Sequence, residues 1–219
     1  MPLSSLLFDL DGTLLETETG ILGCFHRTLE ALGLPQKPDP ELRRFIGPPL
    51  QEAWKELVGG EYAGEAAAIY RDCYATTGKF GARPYDGILE ALARLSPSYR
   101  LFIATSKRQS FALEMAEHFG LRPHLAEVYG LLPEHLSEDK TSLIGRILRD
   151  QNLHPPEALM IGDRRYDLIG ARANGIDSIG VLWGYGTREE LEAHGPTLLC
   201  ERPQDLPDLI ARMPIAYGP

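Results

Sequence analysis

Apolar and polar residues follow two rhythms along this chain. Leu6, Leu7, Phe8 and Leu10 make a short apolar run broken by Asp9 and closed by Asp11-Gly12-Thr13, which predicts a buried strand over residues 6–10 ending in a turn. The pattern then becomes helical. Ile21, Leu22, Phe25, Leu29 and Leu32 recur at helix spacing over residues 19–32, with Gly33 as a stop. A short helix is expected from Pro38-Asp39-Pro40 through Phe45, then a break at Gly47-Pro48-Pro49, a helix over 50–58 and an alanine-rich one over 62–76. No strand is expected between Leu14 and Arg83.

From Arg83 onward strands and helices alternate. Apolar runs over 101–105, 128–131, 158–161 and 178–182 read as strands, and a further strand is expected over 197–200. Helices are expected over 88–95, 109–119, 140–151, 166–174, 188–193 and 205–213. Strands joined through helices of this length imply βαβ crossovers and a parallel sheet, so the fold class is α/β with helices covering the sheet. The first strand belongs to that sheet, which makes residues 1–14 and 83–219 one domain and residues 15–82 an all-helical insertion at its carboxyl edge, placed to act as a lid.

Composition narrows the function more than the fold. The 219 residues are 43% hydrophobic and 24% charged, as in ordinary globular proteins, and the net charge of −9 argues against a nucleic-acid polymer or an anionic membrane as partner. No apolar stretch approaches the ~20 residues that span a bilayer. The opening residues carry no positive n-region, so a cytoplasmic location is expected. Cys24, Cys73 and Cys200 are odd in number, far apart and without C-x-x-C spacing, which predicts reduced structural thiols.

The chemistry concentrates at strand ends. Asp9 and Asp11, one residue apart at the end of the first strand, repel each other and need a cation, a lysine or a shared proton. Taken alone, D-x-D-G-T is equally a turn with a strand-end cap. The strand over 101–105 ends in Thr105-Ser106-Lys107, whose hydroxyls and N–H groups suit an anion at a helix start, or simply cap the helix that follows. Lys140 opens a helix, where the dipole disfavours a cation, so it wants a negative partner. The strand ending in Gly162 runs into Asp163, with Asp167 one helical turn on. Carboxylates at 9, 11 and 163, a hydroxyl at 105 and a lysine at 140 suit Mg²⁺ shared with a substrate phosphate.

D-L-D-G-T-L, the strand ending in Thr105, Lys140 and G-D-R-R-Y-D together resemble the four motifs of haloacid dehalogenase superfamily phosphatases. The helical insertion is similar to that superfamily's small helical cap. Gly47-Pro48-Pro49 and the segment Val181-Leu182-Trp183-Gly184-Tyr185-Gly186 resemble the branch holding phosphoglycolate phosphatases and bacterial 5′-nucleotidase-like enzymes. Lys140, however, lies in E-D-K-T-S and not in the K-P-x-P setting common among phosphoglycolate phosphatases.

The resemblance implies a Rossmann-like core and a Mg²⁺-dependent phosphatase acting on a small phosphorylated metabolite, as a monomer or homodimer. Asp9 is the expected nucleophile, forming an aspartyl phosphate, and Asp11 the general acid and base. Mg²⁺ is expected on the Asp9 carboxylate, the Asp11 backbone carbonyl and Asp163, with Lys140, Thr105 and Ser106 on the phosphoryl oxygens and Asp167 orienting the site. In the superfamily's dehalogenases the residue two beyond the nucleophile is not this acid, so Asp11 favours phosphate over halide. Specificity is expected in the cap, at Glu16, Thr17, Gly47, Lys79 and Arg83, although each of these reads first as an ordinary surface residue. Tyr70 and Tyr74 are expected in the cap's core. Two other readings share most of these residues: a phosphosugar mutase, and a phospho-accepting receiver domain, whose acceptor would be Asp163 and whose fold would lack the helical insertion.

Overall fold

The first apolar run forms a strand, β1 (Ser5–Phe8), fully buried along its length. The computed structural model containing it describes residues 2–47, 50–133 and 138–213, so Pro48 and Pro49 of the expected cap turn lie outside the described residues. The chain forms two compact units, Met1–Leu15 with Pro84–Pro219, and Glu16–Arg83. Between them the chain crosses twice through two-residue strands, β2 (Leu15–Glu16) and β3 (Arg83–Pro84), which pair with each other. Two residues are too few to show a strand period, so the pattern of the sequence does not reveal this ribbon.

The unit Glu16–Arg83 holds α1 (Glu18–Ala31), α2 (Asp39–Arg43), α3 (Leu50–Val58) and α4 (Ala63–Thr76). Its core is aromatic. Phe25 lies 4.8 Å from the Trp54 ring and 5.1 Å from Tyr70, and Tyr70 stacks on Tyr74 at 5.7 Å. Tyr70 and Tyr74 are thus core residues of this unit, as their helical spacing predicts. The expectation of reduced thiols is corrected here: Cys24 of α1 and Cys73 of α4 form a disulfide, with Cα atoms 5.7 Å apart. Packing of two helices brings together residues separated by 49 positions, which spacing alone does not disclose. Cys200, in the other unit, is free and buried.

The larger unit continues through α5 (Ile88–Leu95), β4 (Arg100–Arg108), α6 (Gln109–His118), β5 (Glu127–Leu131) and α7 (Lys140–Asp150). It ends with β6 (Ala158–Gly162), α8 (Arg165–Ala173), β7 (Asp177–Val181), α9 (Arg188–Glu192), β8 (Leu198–Cys200) and α10 (Leu206–Ala211). Among the described residues six strands form one parallel sheet in the order β5-β4-β1-β6-β7-β8. β1 is therefore central, with Ser5 level with Arg100 on one side and Ala158 on the other. The chain winds outward from β1 in both directions, which makes its carboxyl end the switch point where open parallel sheets bind ligands.

Side chains alternate across the sheet. Leu7, Phe102, Ala104 and Met160 face one layer, where they pack with Leu143, Ile144, Ile147 and Leu148 of α7 and Ala171 of α8. The apolar stripe of α7 is what holds Lys140, its first residue, against the sheet. Burying one such Leu or Ile contributes about 1.5–3 kcal/mol, enough to fix the helix in register.

Candidate active site

Asp9 directly follows β1, and its N–H still donates to the Ile161 carbonyl, so sheet pairing continues to the first acid of the pair. The chain then turns at Gly12, whose φ of 86° suits glycine, and Asp11 points to a different partner from Asp9. Asp9 Oδ1 lies 2.9 Å from Lys140 Nζ, and Asp11 Oδ2 lies 3.1 Å from Lys107 Nζ. Each acid has its own lysine. The second of these, Lys107, is a residue that sequence reasoning passed over. The sequence shows it only as the last residue of Thr105-Ser106-Lys107, with nothing there to say that it faces Asp11.

Lys140 is the hub. Its ammonium, on a residue only 6% exposed, donates to Asp9 Oδ1 and to the Ala104 carbonyl at 2.8 Å, and lies 2.9 Å from Asp167 Oδ1. A cation at the first position of a helix is disfavoured by the dipole, and these carboxylates supply the compensation. Asp139 caps α7 by accepting from the Ser142 N–H at 2.8 Å, and Arg146 holds the preceding Glu138 by two hydrogen bonds of 2.8 and 3.1 Å.

Asp163 enters at the end of β6 and is fully buried. Its Oδ2 accepts from the Tyr185 N–H at 2.7 Å and its Oδ1 from the Thr13 hydroxyl at 3.4 Å. Asp167 accepts from the Arg164 N–H at 3.2 Å and packs against Gly162, where a Cβ would overlap its carboxylate. Carboxylate oxygens of Asp9, Asp163 and Asp167 lie within 4.8 Å of one another. Thr105 is buried but sits inside β4, which runs on to Arg108, instead of at the start of α6. Regular pairing with β5 stops at Ala104, and Thr105 Oγ1 accepts from the Lys107 N–H at 3.2 Å. This local hydrogen bond competes with the ladder and bends the strand end, with Ser106 half-buried beside it.

Charge follows from burial. Desolvation pushes the Asp9 carboxyl up to about 7 in spite of Lys140, with Asp167 and Asp11 adding to the rise. Burial, then Asp9 and Asp167, hold Asp163 well above the usual carboxylate range, although the Tyr185 N–H opposes this. Burial also works against the Lys140 charge, but Asp167 and Asp9 outweigh it and hold the ammonium above the ordinary lysine value. Three clustered carboxylates against one ammonium leave a deficit of about two positive charges, and Asp11 has a buried Oδ1 without a hydrogen-bond partner. The donor set is all oxygen. A hard divalent cation fits both the charge and the donors.

The five residues expected to set specificity all belong to the helical unit. Arg83 pairs with Glu16 and is 73% exposed at its side chain. Thr17 and Lys79, by contrast, are buried at 1% and 6% exposure, so for these two the solvent-exposed alternative is set aside. Lys79 Nζ lies 5.0 Å from the Phe80 ring centroid, and Gly47 takes a φ of 105°.

A switch-point cluster of acids and lysine on a six-stranded parallel sheet defines an α/β enzyme. Residues 6–181 match the haloacid dehalogenase-like hydrolase family, and the chain belongs to that family. A 5′-nucleotidase of Pseudomonas aeruginosa is 39% identical over 199 residues, 90% of each chain. Tyrosine-protein kinase PtkA of Mycobacterium tuberculosis is 33% identical over 195 residues, 89% of this chain and 67% of that protein. Among solved structures, a haloacid dehalogenase-like family hydrolase, SP0104 from Streptococcus pneumoniae, superposes with a TM-score of 0.91 at 32% identity, covering 94% of this chain and 98% of that one. The receiver-domain reading falls with this membership. No helix among the described residues is long and apolar enough to cross a membrane.

Proposed function

We propose that this chain, a phosphatase of the haloacid dehalogenase-like hydrolase family, hydrolyses a small phosphomonoester through an aspartyl phosphate, with a nucleoside 5′-monophosphate as the first candidate and phosphoglycolate as the second. The observation that carries the reading is the placement of Asp9 at the switch point, paired with Lys140 at 2.9 Å and clustered with Asp163 and Asp167. The order of candidates rests on the nucleotidase relative and on the E-D-K-T-S setting of Lys140.

An Asp9 oxygen attacks phosphorus while the bond to the leaving oxygen breaks, and Asp11 gives that oxygen its proton. Asp11 then takes a proton from water, which attacks the same phosphorus and releases Asp9 and inorganic phosphate. Lys140 supplies fixed positive charge where negative charge develops, and Asp167 keeps its ammonium in place. Thr105 and Ser106 hold phosphoryl oxygens from the bent end of β4. Mg²⁺ would be held by the Asp9 and Asp163 carboxylates and the Asp11 backbone carbonyl, and when bound it supplies Lewis-acid screening between the attacking carboxylate and the phosphate dianion. The helical unit serves as a cap that selects the leaving group, using Glu16, Thr17, Gly47, Lys79 and Arg83.

The test is phosphate release from a panel of nucleoside 5′-monophosphates, phosphoglycolate and sugar phosphates, with Mg²⁺ and with a chelator. Mg²⁺-dependent release from a nucleotide at a rate well above the rest supports the proposal. Isomerisation without release, or no turnover of any monophosphate, would overturn it.

A further inference from the structure

The segment Trp183-Gly184-Tyr185-Gly186 follows β7 and has no part in the chemistry just described, yet it touches the site at three points. Trp183 Nε1 donates to the Thr13 carbonyl at 3.0 Å. The Tyr185 N–H donates to Asp163 Oδ2 at 2.7 Å. Between them Gly184 lies so close that a Cβ there would overlap the Gly12 carbonyl oxygen and the Asp163 side chain. Thr13 closes the circuit, since its hydroxyl donates to Asp163 Oδ1 at 3.4 Å. Trp183, Thr13, Asp163 and Tyr185 thus form a hydrogen-bonded ring completed by the chain from 183 to 185. The turn that carries Asp11 is part of that ring.

We propose that Trp183 is a positioning residue: its indole N–H, donated to the Thr13 carbonyl, fixes the turn of Asp11 and Gly12 against Asp163. The inference rests on the phosphatase reading for what is positioned, namely a proton donor beside a nucleophile. The physical case is geometric. Thr13 is fully buried, so its carbonyl has no ready replacement for the indole donor, and a buried acceptor left unpaired makes the turn shift to find another. A small displacement of an acid from its working position costs rate more than binding, because orientation matters most at the transition state.

Trp183→Phe keeps an aromatic body and removes the donor. The expected result is a kcat lowered about tenfold with KM within about twofold of wild type. Thr13→Val, which breaks the same ring at its next link, lowers kcat similarly. The double variant then loses about 10- to 30-fold, not the ~100-fold product, because the two changes break one circuit. A kcat for Trp183→Phe within about twofold of wild type, or a fully multiplicative double variant, overturns the proposal.

A second measurement needs no variant at position 183. The chain has two tryptophans, Trp54 and Trp183, so 5-fluorotryptophan labelling gives two ¹⁹F resonances, assigned with Trp54→Phe. Saturating Mg²⁺ is expected to move the Trp183 resonance and leave that of Trp54 in place. A Trp183 resonance that stays put while calorimetry shows Mg²⁺ bound overturns the proposal. Wild type that hydrolyses no monophosphate defeats the phosphatase reading instead. The positioning role is then decided by Mg²⁺ affinity, weakened several-fold in Trp183→Phe if it holds and unchanged if it does not.

Discussion

Replacing Lys140 by Met keeps an unbranched side chain, one heavy atom shorter, and deletes one buried ammonium. That ammonium lies 2.9 Å from Asp9, 2.9 Å from Asp167 and 2.8 Å from the Ala104 carbonyl. Breaking a buried ion pair by removing one partner costs about 3–5 kcal/mol, because the charge left behind is uncompensated. The cost depends on pH. Asp9 already titrates near 7, and without the lysine its carboxyl rises further, so the folded variant binds a proton that the unfolded chain releases near the ordinary carboxylate value. Folded-state protonation above the unfolded value means stability that is present at low pH and lost as pH rises.

At about pH 5 both wild type and variant therefore carry a neutral Asp9, so the share of the cost that belongs to the Asp9–Lys140 pair disappears and the difference is expected to be about 1–2 kcal/mol smaller than at pH 8, what remains being the ammonium lost beside Asp167. At about pH 8 it is expected to reach the full ~3–5 kcal/mol. Urea unfolding of the chelated protein at both pH values measures this. In parallel, kcat falls about 10²- to 10³-fold, as for removal of a single transition-state charge donor. A stability difference that is constant across pH, or larger at low pH, would refute the electrostatic account, and wild-type turnover in the variant would refute the role of Lys140 in the chemistry.

Asp9→Asn is expected to abolish turnover and the alkali- and hydroxylamine-labile phosphoenzyme, while leaving the metal-free fold as stable as wild type or more so near pH 8; a mass shift of one phosphoryl group in the variant sinks the nucleophile assignment. For wild type without metal, the raised Asp9 and Asp163 values mean that stability falls as pH climbs from the ordinary carboxylate range toward 7, and added Mg²⁺ reverses the trend. A chelated protein whose thermal midpoint rises steadily over that window contradicts the charge deficit. Reducing Cys24–Cys73, which closes a loop of 49 residues, removes up to about 4 kcal/mol of chain-entropy stabilisation, and Cys24→Ala with Cys73→Ala reproduces the loss; equal unfolding midpoints with and without reductant count against the pairing.

What the sequence makes legible is set by range. Asp9 and Asp11 announce themselves because two acids one residue apart at the end of an apolar run are locally uncomfortable, and Lys140 does so because a cation opens a helix. Each discomfort is a demand for a distant partner, and the parallel sheet meets it by bringing strand ends together at β1. The pairing itself is not local. Lys107 sits among ordinary polar residues, and only the bend of β4 after Ala104 turns its ammonium toward Asp11. Trp183 is likewise visible as a motif but silent as to purpose until its indole is seen on Thr13.

The helical unit reverses the balance. Its helices follow from spacing, yet the Cys24–Cys73 link and the burial of Lys79 depend on how helices pack, which periodicity leaves open. Lys79, only 6% exposed, holds its ammonium 5.0 Å from the Phe80 ring centroid, a cation–π contact that no spacing in the sequence announces. The proposed role of this unit in selecting the group that carries the phosphate makes Lys79 the first of its residues to substitute. The proposed reaction, by contrast, rests on charges that the sheet gathers at the end of β1.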